Sequence, residues 1–213
     1  MRQWTLSLGL VALVAGTSFA GKFNTKLGIG DKAPAISGIK AVEGEKDATI
    51  NLAGIKEDVV VVAFLANHCP AVVANEDRLV DVAKSFKGKS VKFVGVCCSA
   101  DCGEANDVDG VTAIKKAFKD GKYAGNTIYG VDPSGTIGRA YGATRTPEFF
   151  VLDKSRTVKY MGALDDSPMN ADKASKSFLK LAVEAVLNNE TVEVTETKAV
   201  GCGISFMRLI ESR

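Results

Sequence analysis

The most reactive side chains of this chain meet at Asn67-His68-Cys69-Pro70, where its only histidine adjoins a cysteine. Ahead of this stretch, Val59 to Leu65 is a short apolar run rich in β-branched residues, the pattern of a strand buried on both faces of a parallel sheet. Behind it, Val72, Leu79, Ala83 and Phe86 recur at helical spacing, with Glu76, Asp77 and Arg78 on the polar side. Pro70 suits the first turn of a helix, so Cys69 falls at or beside the N-cap, facing the positive end of the helix. Thiols so placed titrate well below the ~8.5 of a free cysteine and are nucleophilic at neutral pH. The competing reading is a small buried side chain at a strand end, since cysteine is among the most buried residue types.

The elements that position this stretch follow in order. Ahead of it lie a Gly- and Pro-punctuated lead-in over Gly28 to Val42 and a short strand at Ala48 to Leu52. The helix after Cys69 fades near Gly88, and a second buried strand runs Val91 to Cys98. A polar crossing rich in Asp, Gly and Asn leads to helical spacing over Val111 to Phe118, then a short strand at Thr127 to Val131. Asp132-Pro133-Ser134-Gly135 is a turn, Thr136 to Tyr141 a short helix stopped by Gly142. Thr146 to Asp153 is a strand with proline near its start, and Thr157 to Met161 reads as its hairpin partner. A final helix is expected over Ala171 to Leu187, with Ala174, Phe178, Leu181, Ala182 and Ala185 as its apolar stripe. From there the chain is a tail of alternating polar and apolar residues containing Gly201-Cys202-Gly203-Ile204. Alternating strands and helices closed by a hairpin and a helix imply an α/β sandwich with a mixed sheet. Ligands of such sheets collect beyond the carboxyl ends of the parallel strands, which is where Cys69, Cys97 and Cys98 fall.

Composition bounds the rest. With 213 residues, 46% hydrophobic content and a net charge of +2, the chain has room for one well-filled domain and lacks the basic field of a nucleic-acid partner. Met1-Arg2-Gln3, the mostly apolar Trp4 to Ala15 and Ser18-Phe19-Ala20 before Gly21 read as a signal peptide over residues 1–20. Its apolar stretch is short for a span, so no stable membrane span is expected after cleavage, and a periplasmic or secreted location follows. Disulfides persist there. All five cysteines, Cys69, Cys97, Cys98, Cys102 and Cys202, lie in the mature part, and an odd number leaves at least one unpaired within a monomer. Cys98-x-x-x-Cys102, assisted by Cys97 or Cys69, has plausible metal-ligand spacing, but paired Cys-x-x-Cys sets and a second histidine are missing, so no metal is expected. No cofactor is expected either.

Three segments resemble the thioredoxin-like superfamily, and more closely its redoxin branch related to alkyl hydroperoxide reductase and thiol-specific antioxidant proteins. They are Gly30-Asp31-Lys32-Ala33-Pro34, Phe64 to Cys69, and Thr146-Pro147-Glu148-Phe149-Phe150-Val151-Leu152-Asp153. Asn67-His68-Cys69-Pro70 with Glu76-Asp77-Arg78-Leu79, together with Gly201-Cys202-Gly203-Ile204, is similar to an exported redoxin subgroup. The resemblance spans about residues 27–188, leaving 189–213 as a C-terminal tail. It implies a thioredoxin-like three-layer α/β sandwich with a central mixed sheet. It also makes Cys69 the attacking thiolate and Pro147 a cis-proline beside it, with the Thr146 backbone available to pair with a bound peptide or disulfide.

The departures from that family matter equally. Position 72, where thioredoxins carry a second cysteine, is Val72, so no local disulfide forms. Position 66, where peroxiredoxins carry threonine, is Ala66. An oxidised Cys69 then needs another thiol, and Cys97 or Cys98 on the neighbouring strand, followed by Cys102, are the candidates for resolving it. Alternatively Cys102 forms a structural disulfide with Cys97 or Cys98, and Cys202 pairs elsewhere or stays free. His68 has two readings, a charge that favours the thiolate or a polar surface residue, and Arg145 is a cation near the site or an ordinary loop residue. The function implied is an exported oxidoreductase using one active-site cysteine. It acts on a disulfide-containing protein or a small peroxide and is reset by an external thiol reductant. The alternative is a redox-inert module that binds partners at the cis-proline groove.

Overall fold

A computed structural model describes residues 20–100, 102 and 108–206. The leader expected over residues 1–20 lies, all but Ala20, outside the described residues. The strands are β1 (Ser37–Glu43), β2 (Lys46–Asn51), β3 (Val59–Phe64), β4 (Val91–Cys97), β5 (Thr127–Val131), β6 (Arg145–Thr146), β7 (Glu148–Leu152), β8 (Val158–Gly162) and β9 (Cys202–Gly203); the helices are α1 (Pro70–Ser85), α2 (Val111–Lys119), α3 (Thr136–Tyr141) and α4 (Phe178–Leu187). Seven strands form one sheet in the order β2-β1-β5-β4-β3-β7-β8, while β6 and β9 pair apart from it. β3, β4 and β5 are mutually parallel, and β7 runs antiparallel to β3.

Every residue of β3 and of β7 is buried, as the unbroken apolar run of β3 and Phe149 to Leu152 of β7 require, because both sheet faces are covered. The reason lies in the crossovers. β3-α1-β4 and β4-α2-β5 step in the same direction across the sheet, and right-handed connections stepping one way put both helices on one face. Val59, Val61 and Ala63 accordingly pack with Phe86 at the C-cap of α1, Ile114 of α2 and Leu179 of α4. Val60, Val62 and Phe64 point to the opposite face, where Tyr141 of α3, Leu27, Ile36, Ile204 and Phe206 cover them. The result is a thioredoxin-like α/β fold with a mixed central sheet.

The strand expected over Thr146 to Asp153 is broken at Pro147 into β6 and β7, which belong to different sheets, and two further elements differ from the sequence expectation. The lead-in over Ser37–Glu43 is a full strand, paired antiparallel to β2 and β5. The final helix begins at Phe178, not Ala171. The Asp166 carboxylate accepts from the backbone N–H of Ser175 and Lys176 at 2.9 and 3.2 Å, and Ser177 caps the helix by accepting from Lys180 N–H at 3.4 Å. Side chain to backbone bonds of this kind compete with helix, so residues 174–177 stay outside it. The stripe rotates with the new start. Leu179, Ala182 and Val183 are buried, whereas Leu181 is 46% exposed.

The tail does not leave the domain. It runs beside β8, where Met161 N–H donates to Thr195 O at 3.0 Å and Thr197 N–H donates to Met161 O at 3.1 Å. The Thr197 hydroxyl lies 2.7 Å from that of Tyr160 and accepts from Ala163 N–H at 2.9 Å.

Candidate active site

β3 ends at Phe64, and Leu65 N–H still bonds to Val96 O of β4 at 3.0 Å. The chain then turns, with Cys69 N–H donating to Ala66 O at 3.0 Å and Val73 N–H donating to Cys69 O at 3.0 Å. Cys69 is the N-cap residue of α1 and Pro70 occupies its first turn. The expected geometry of a thiol at the positive end of a helix is thus present.

Opposite Cys69 stands the loop before β7. The Thr146–Pro147 peptide is cis, and Thr146 O lies 3.2 Å from Cys69 Sγ. A buried carboxylate supports this loop. Glu148 Oε2 accepts from the backbone N–H groups of Thr144 and Arg145 at 2.8 and 3.1 Å.

Cys69 forms a disulfide with Cys202, with a Cα–Cα distance of 6.2 Å across a sequence separation of 133. The sequence names Cys97, Cys98 or Cys102 as the resolving thiol and does not single out Cys202, so this pairing corrects that expectation. The tail delivers Cys202 through β9, in which Cys202 lies opposite Thr146 and Gly203 opposite Arg145. Arg145 is exposed, and its Nη1 donates to Gly201 O at 3.4 Å, so its contact is with the tail.

None of the three thiols expected to resolve Cys69 is bonded to it. Cys97, Cys98 and Cys102 are free and buried. Consecutive strand residues point to opposite faces. Cys97 therefore packs in the core that holds Cys69 and Cys102, while Cys98 packs in the opposite one. Among the described residues they form no group able to hold a metal ion. Its hydrogen bond with Cys102, together with burial, pushes the Cys97 thiol far above the ordinary range. Burial, and then the nearby Asp132 charge, does the same to Cys98. Both stay protonated at neutral pH, and a thiol is a poor nucleophile beside a thiolate.

Sequence reasoning missed Asp109. It is fully buried, accepts from Asn67 N–H at 2.5 Å and makes an ion-pair contact with Nδ1 of His68. A carboxylate only accepts, so Nδ1 carries the hydrogen and Nε2 is left for other work. The Asn67 side chain completes the clamp by donating to Val108 O at 2.9 Å and accepting from Tyr123 Oη at 2.7 Å. Asp109 belongs to the polar crossing that reads as loop from sequence, and no local pattern marks it.

Glu148 carries a prediction of its own. Burial raises its carboxyl above the ordinary range, against the lowering effect of the Thr144 and Arg145 N–H groups. Between the unfolded and the raised folded value, the native state holds a proton that the unfolded chain has released. Stability therefore increases as pH falls through that window and is lowest above it. Glu148→Gln keeps an oxygen for both N–H groups and removes the charge. Urea midpoints across the acid-to-neutral range are expected to show a gain at neutral pH that vanishes in acid; a constant loss at every pH would contradict this.

Together the fold and the site define a thioredoxin-like protein with a disulfide at the N-terminus of its first long helix, opposite a cis-proline. The redoxin family model matches residues 29–176. Among solved structures, a hypothetical protein from Sinorhizobium meliloti 1021 is 27% identical, with 86% of this chain and 97% of that chain covered and a TM-score of 0.74. An uncharacterized conserved protein from Geobacillus kaustophilus is 26% identical over 86% of this chain and 94% of that chain, with a TM-score of 0.75. A thiol:disulfide interchange protein of the thioredoxin family from Chlorobium tepidum shares the fold at 21% identity and a TM-score of 0.51, covering 75% of this chain and 98% of that chain. No curated protein matches the chain. The chain belongs to the redoxin family.

Proposed function

We propose that the protein is an exported thiol-disulfide oxidoreductase in which Cys69 is the nucleophile and Cys202, carried by the tail, is its resolving partner. The observation that carries this reading is the Cys69–Cys202 disulfide at the N-cap of α1, against the cis-proline loop. The name borne by the Chlorobium tepidum protein agrees with it. Domain 27–188 then works between a cleaved leader and a tail that takes part in the chemistry.

In the reduced protein, the Cys69 thiolate attacks one sulfur of a substrate disulfide. A mixed disulfide forms, and the other substrate sulfur departs as a thiolate that takes its proton from solvent, while Asp109 holds the turn at Asn67 and His68 beside the reacting sulfur. Cys202 thiolate then attacks Cys69 Sγ, releases the second substrate thiol and closes the Cys69–Cys202 disulfide. An external dithiol reductant restores the cycle by attacking Cys202, since Cys69 is fully buried and Cys202 is partly exposed. Its second thiol then displaces Cys202 from the resulting mixed disulfide and releases the oxidised reductant. Cys69 leaves as the thiolate that the helix terminus favours. A single-thiol cycle would need the external donor at the resolving step as well, and the nearby Cys202 favours the two-thiol form.

Peroxide reduction is the second reading, because condensation of a Cys69 sulfenic acid with Cys202 ends in the same disulfide. Ala66, apolar and 3% exposed, supplies no side-chain donor to orient a peroxide, which ranks this reading second. The test supplies a dithiol reductant to the protein with a disulfide-bonded peptide or with hydrogen peroxide. Faster consumption of the disulfide is expected. Faster consumption of peroxide reverses the ranking, and consumption of neither leaves the redox-inert binding module as the surviving reading.

A further inference from the structure

The tail is bound to the domain as an extended ligand would be. β6 has β9 as its only strand neighbour among the described residues, and Ile204 N–H continues the pairing by donating to Thr144 O at 3.1 Å. Beyond it, Ser205 O accepts from Ala100 N–H at 2.6 Å. Side chains along the segment alternate. Cys202, Ile204 and Phe206 are partly buried, while Gly203 and Ser205 are exposed. Cys202 reaches Cys69, Ile204 joins the apolar core on the α3 face, and the Phe206 ring lies 4.7 Å from the Arg139 guanidinium. Main-chain pairing at a sheet edge with pockets for alternate side chains is a general mode of peptide recognition.

The position before the cysteine is restricted as well. A Cβ on Gly201 would stand 2.1 Å from Thr146 O and 3.2 Å from Ala71 Cβ. Thr146 O is the same carbonyl that approaches Cys69 Sγ, so the obstruction is backbone at the reacting centre and has no side chain to swing away.

The thioredoxin-like resemblance already implies peptide pairing at the Thr146 backbone; we propose that this edge selects an extended segment reading Gly-Cys-x-aliphatic-x-aromatic, the sequence that the chain's own tail presents there as an internal stand-in. This rests on the exchange reading above and names its substrate class: disulfide-bonded proteins whose reactive cysteine lies in such a segment. Glycine before the cysteine lets the segment clear Thr146 O. The aliphatic side chain fills the place of Ile204, the aromatic one that of Phe206. When Cys69 and Cys202 are reduced, the tail is no longer covalently held and a substrate segment takes its register. Cys69 thiolate attacks the substrate cysteine sulfur, the Cys69-to-substrate S–S bond forms, the substrate's own S–S bond breaks, and its other half leaves as a thiolate.

The test uses full-length Cys202→Ser protein and peptides with the sequence of residues 198–206, each as its disulfide-linked dimer. Mixed-disulfide formation at Cys69 is followed by mass spectrometry. A peptide with alanine in place of the glycine before cysteine is expected to react at least about 10-fold more slowly, as is one with aspartate in place of the isoleucine. Equal rates for all three, with a small aromatic disulfide also reacting, would overturn the site and leave the exchange reading standing. Failure of Cys69 to react with the small disulfide would remove both. As a measurement independent of the variant, labelled peptides with serine replacing cysteine are titrated into reduced wild-type protein. The same ranking of affinities by anisotropy is expected, and no difference between glycine and alanine peptides would refute the site.

Discussion

Cys69→Ser is expected to lower disulfide-exchange turnover by at least about 10³-fold, because a serine hydroxyl is not ionised at neutral pH and the chain holds no substitute nucleophile at that place. Cys97 and Cys98 are buried with thiols pushed far upward, and Cys102 is buried too. Cys202 remains, but it sits on the tail, outside the helix terminus that makes Cys69 a good leaving and attacking group. The measurement is steady-state reduction of a disulfide-bonded peptide with a dithiol donor. Retention of turnover within about 10-fold of wild type would remove Cys69 from the chemistry. Circular dichroism and the urea midpoint of the reduced proteins should match, since neither then contains the cross-link.

Cys202→Ser should behave in a different way. The first chemical step survives, so the variant is expected to accumulate a mixed disulfide between Cys69 and substrate, visible as an added mass after acid quenching. Release then depends on an external thiol. A tethered thiol acts at an effective concentration on the order of millimolar or higher, so at micromolar external thiol the resolving step slows by about 10²- to 10³-fold. The same variant loses the cross-link between residues separated by 133 positions. In oxidising buffer it is expected to be less stable than wild type by about 2–4 kcal/mol, a gap that closes when wild type is reduced. Unchanged turnover with no trapped intermediate would show that Cys202 resolves nothing and that the bond is purely structural.

The two variants separate roles that the sequence merges. Five cysteines and one histidine are visible in it, and the strand-turn-helix around Cys69 is legible because each signal is local. The β-branched run marks β3, Pro70 marks the start of α1, and helical spacing carries it forward. The β4-α2-β5 order, the short α3 with its Gly142 stop, and the β7-β8 hairpin are legible for the same reason. The helix expected from Ala171 failed where a local pattern met a distant competitor. Ala171 to Lys176 suit a helix by composition, but only Ala171–Lys173 turn, as a short 3-10 segment, while the Asp166 carboxylate takes the N–H groups of Ser175 and Lys176 and Ser177 starts the helix by capping Lys180 N–H.

The partner of Cys69 is a different kind of fact. Pairing depends on whether two Cα atoms come within disulfide reach, and the 6.2 Å that brings Cys202 to Cys69 results from the tail passing β8 and closing on the cis-proline loop. Nothing near Cys202 in the chain encodes that path. Cys97 and Cys98 looked nearer because β4 lies beside β3, but strand alternation sends Cys98 to the other face, and Cys97 stays in the core as a free thiol. Asp109 and His68 are likewise joined across 41 positions, with no local pattern to announce them.

The sequence alone thus determined the nucleophile's place, the helix behind it and the α/β class, because strand and helix periods and a proline at a helix start act over a few residues. The family resemblance already implied the cis-proline opposite it; only the tertiary structure decided which thiol pairs with that nucleophile and which carboxylate holds His68. Which side chains meet at the carboxyl ends of β3 and β4 is set by sheet order, by the hand of the crossovers and by the return of the tail, and those are properties of the packed chain.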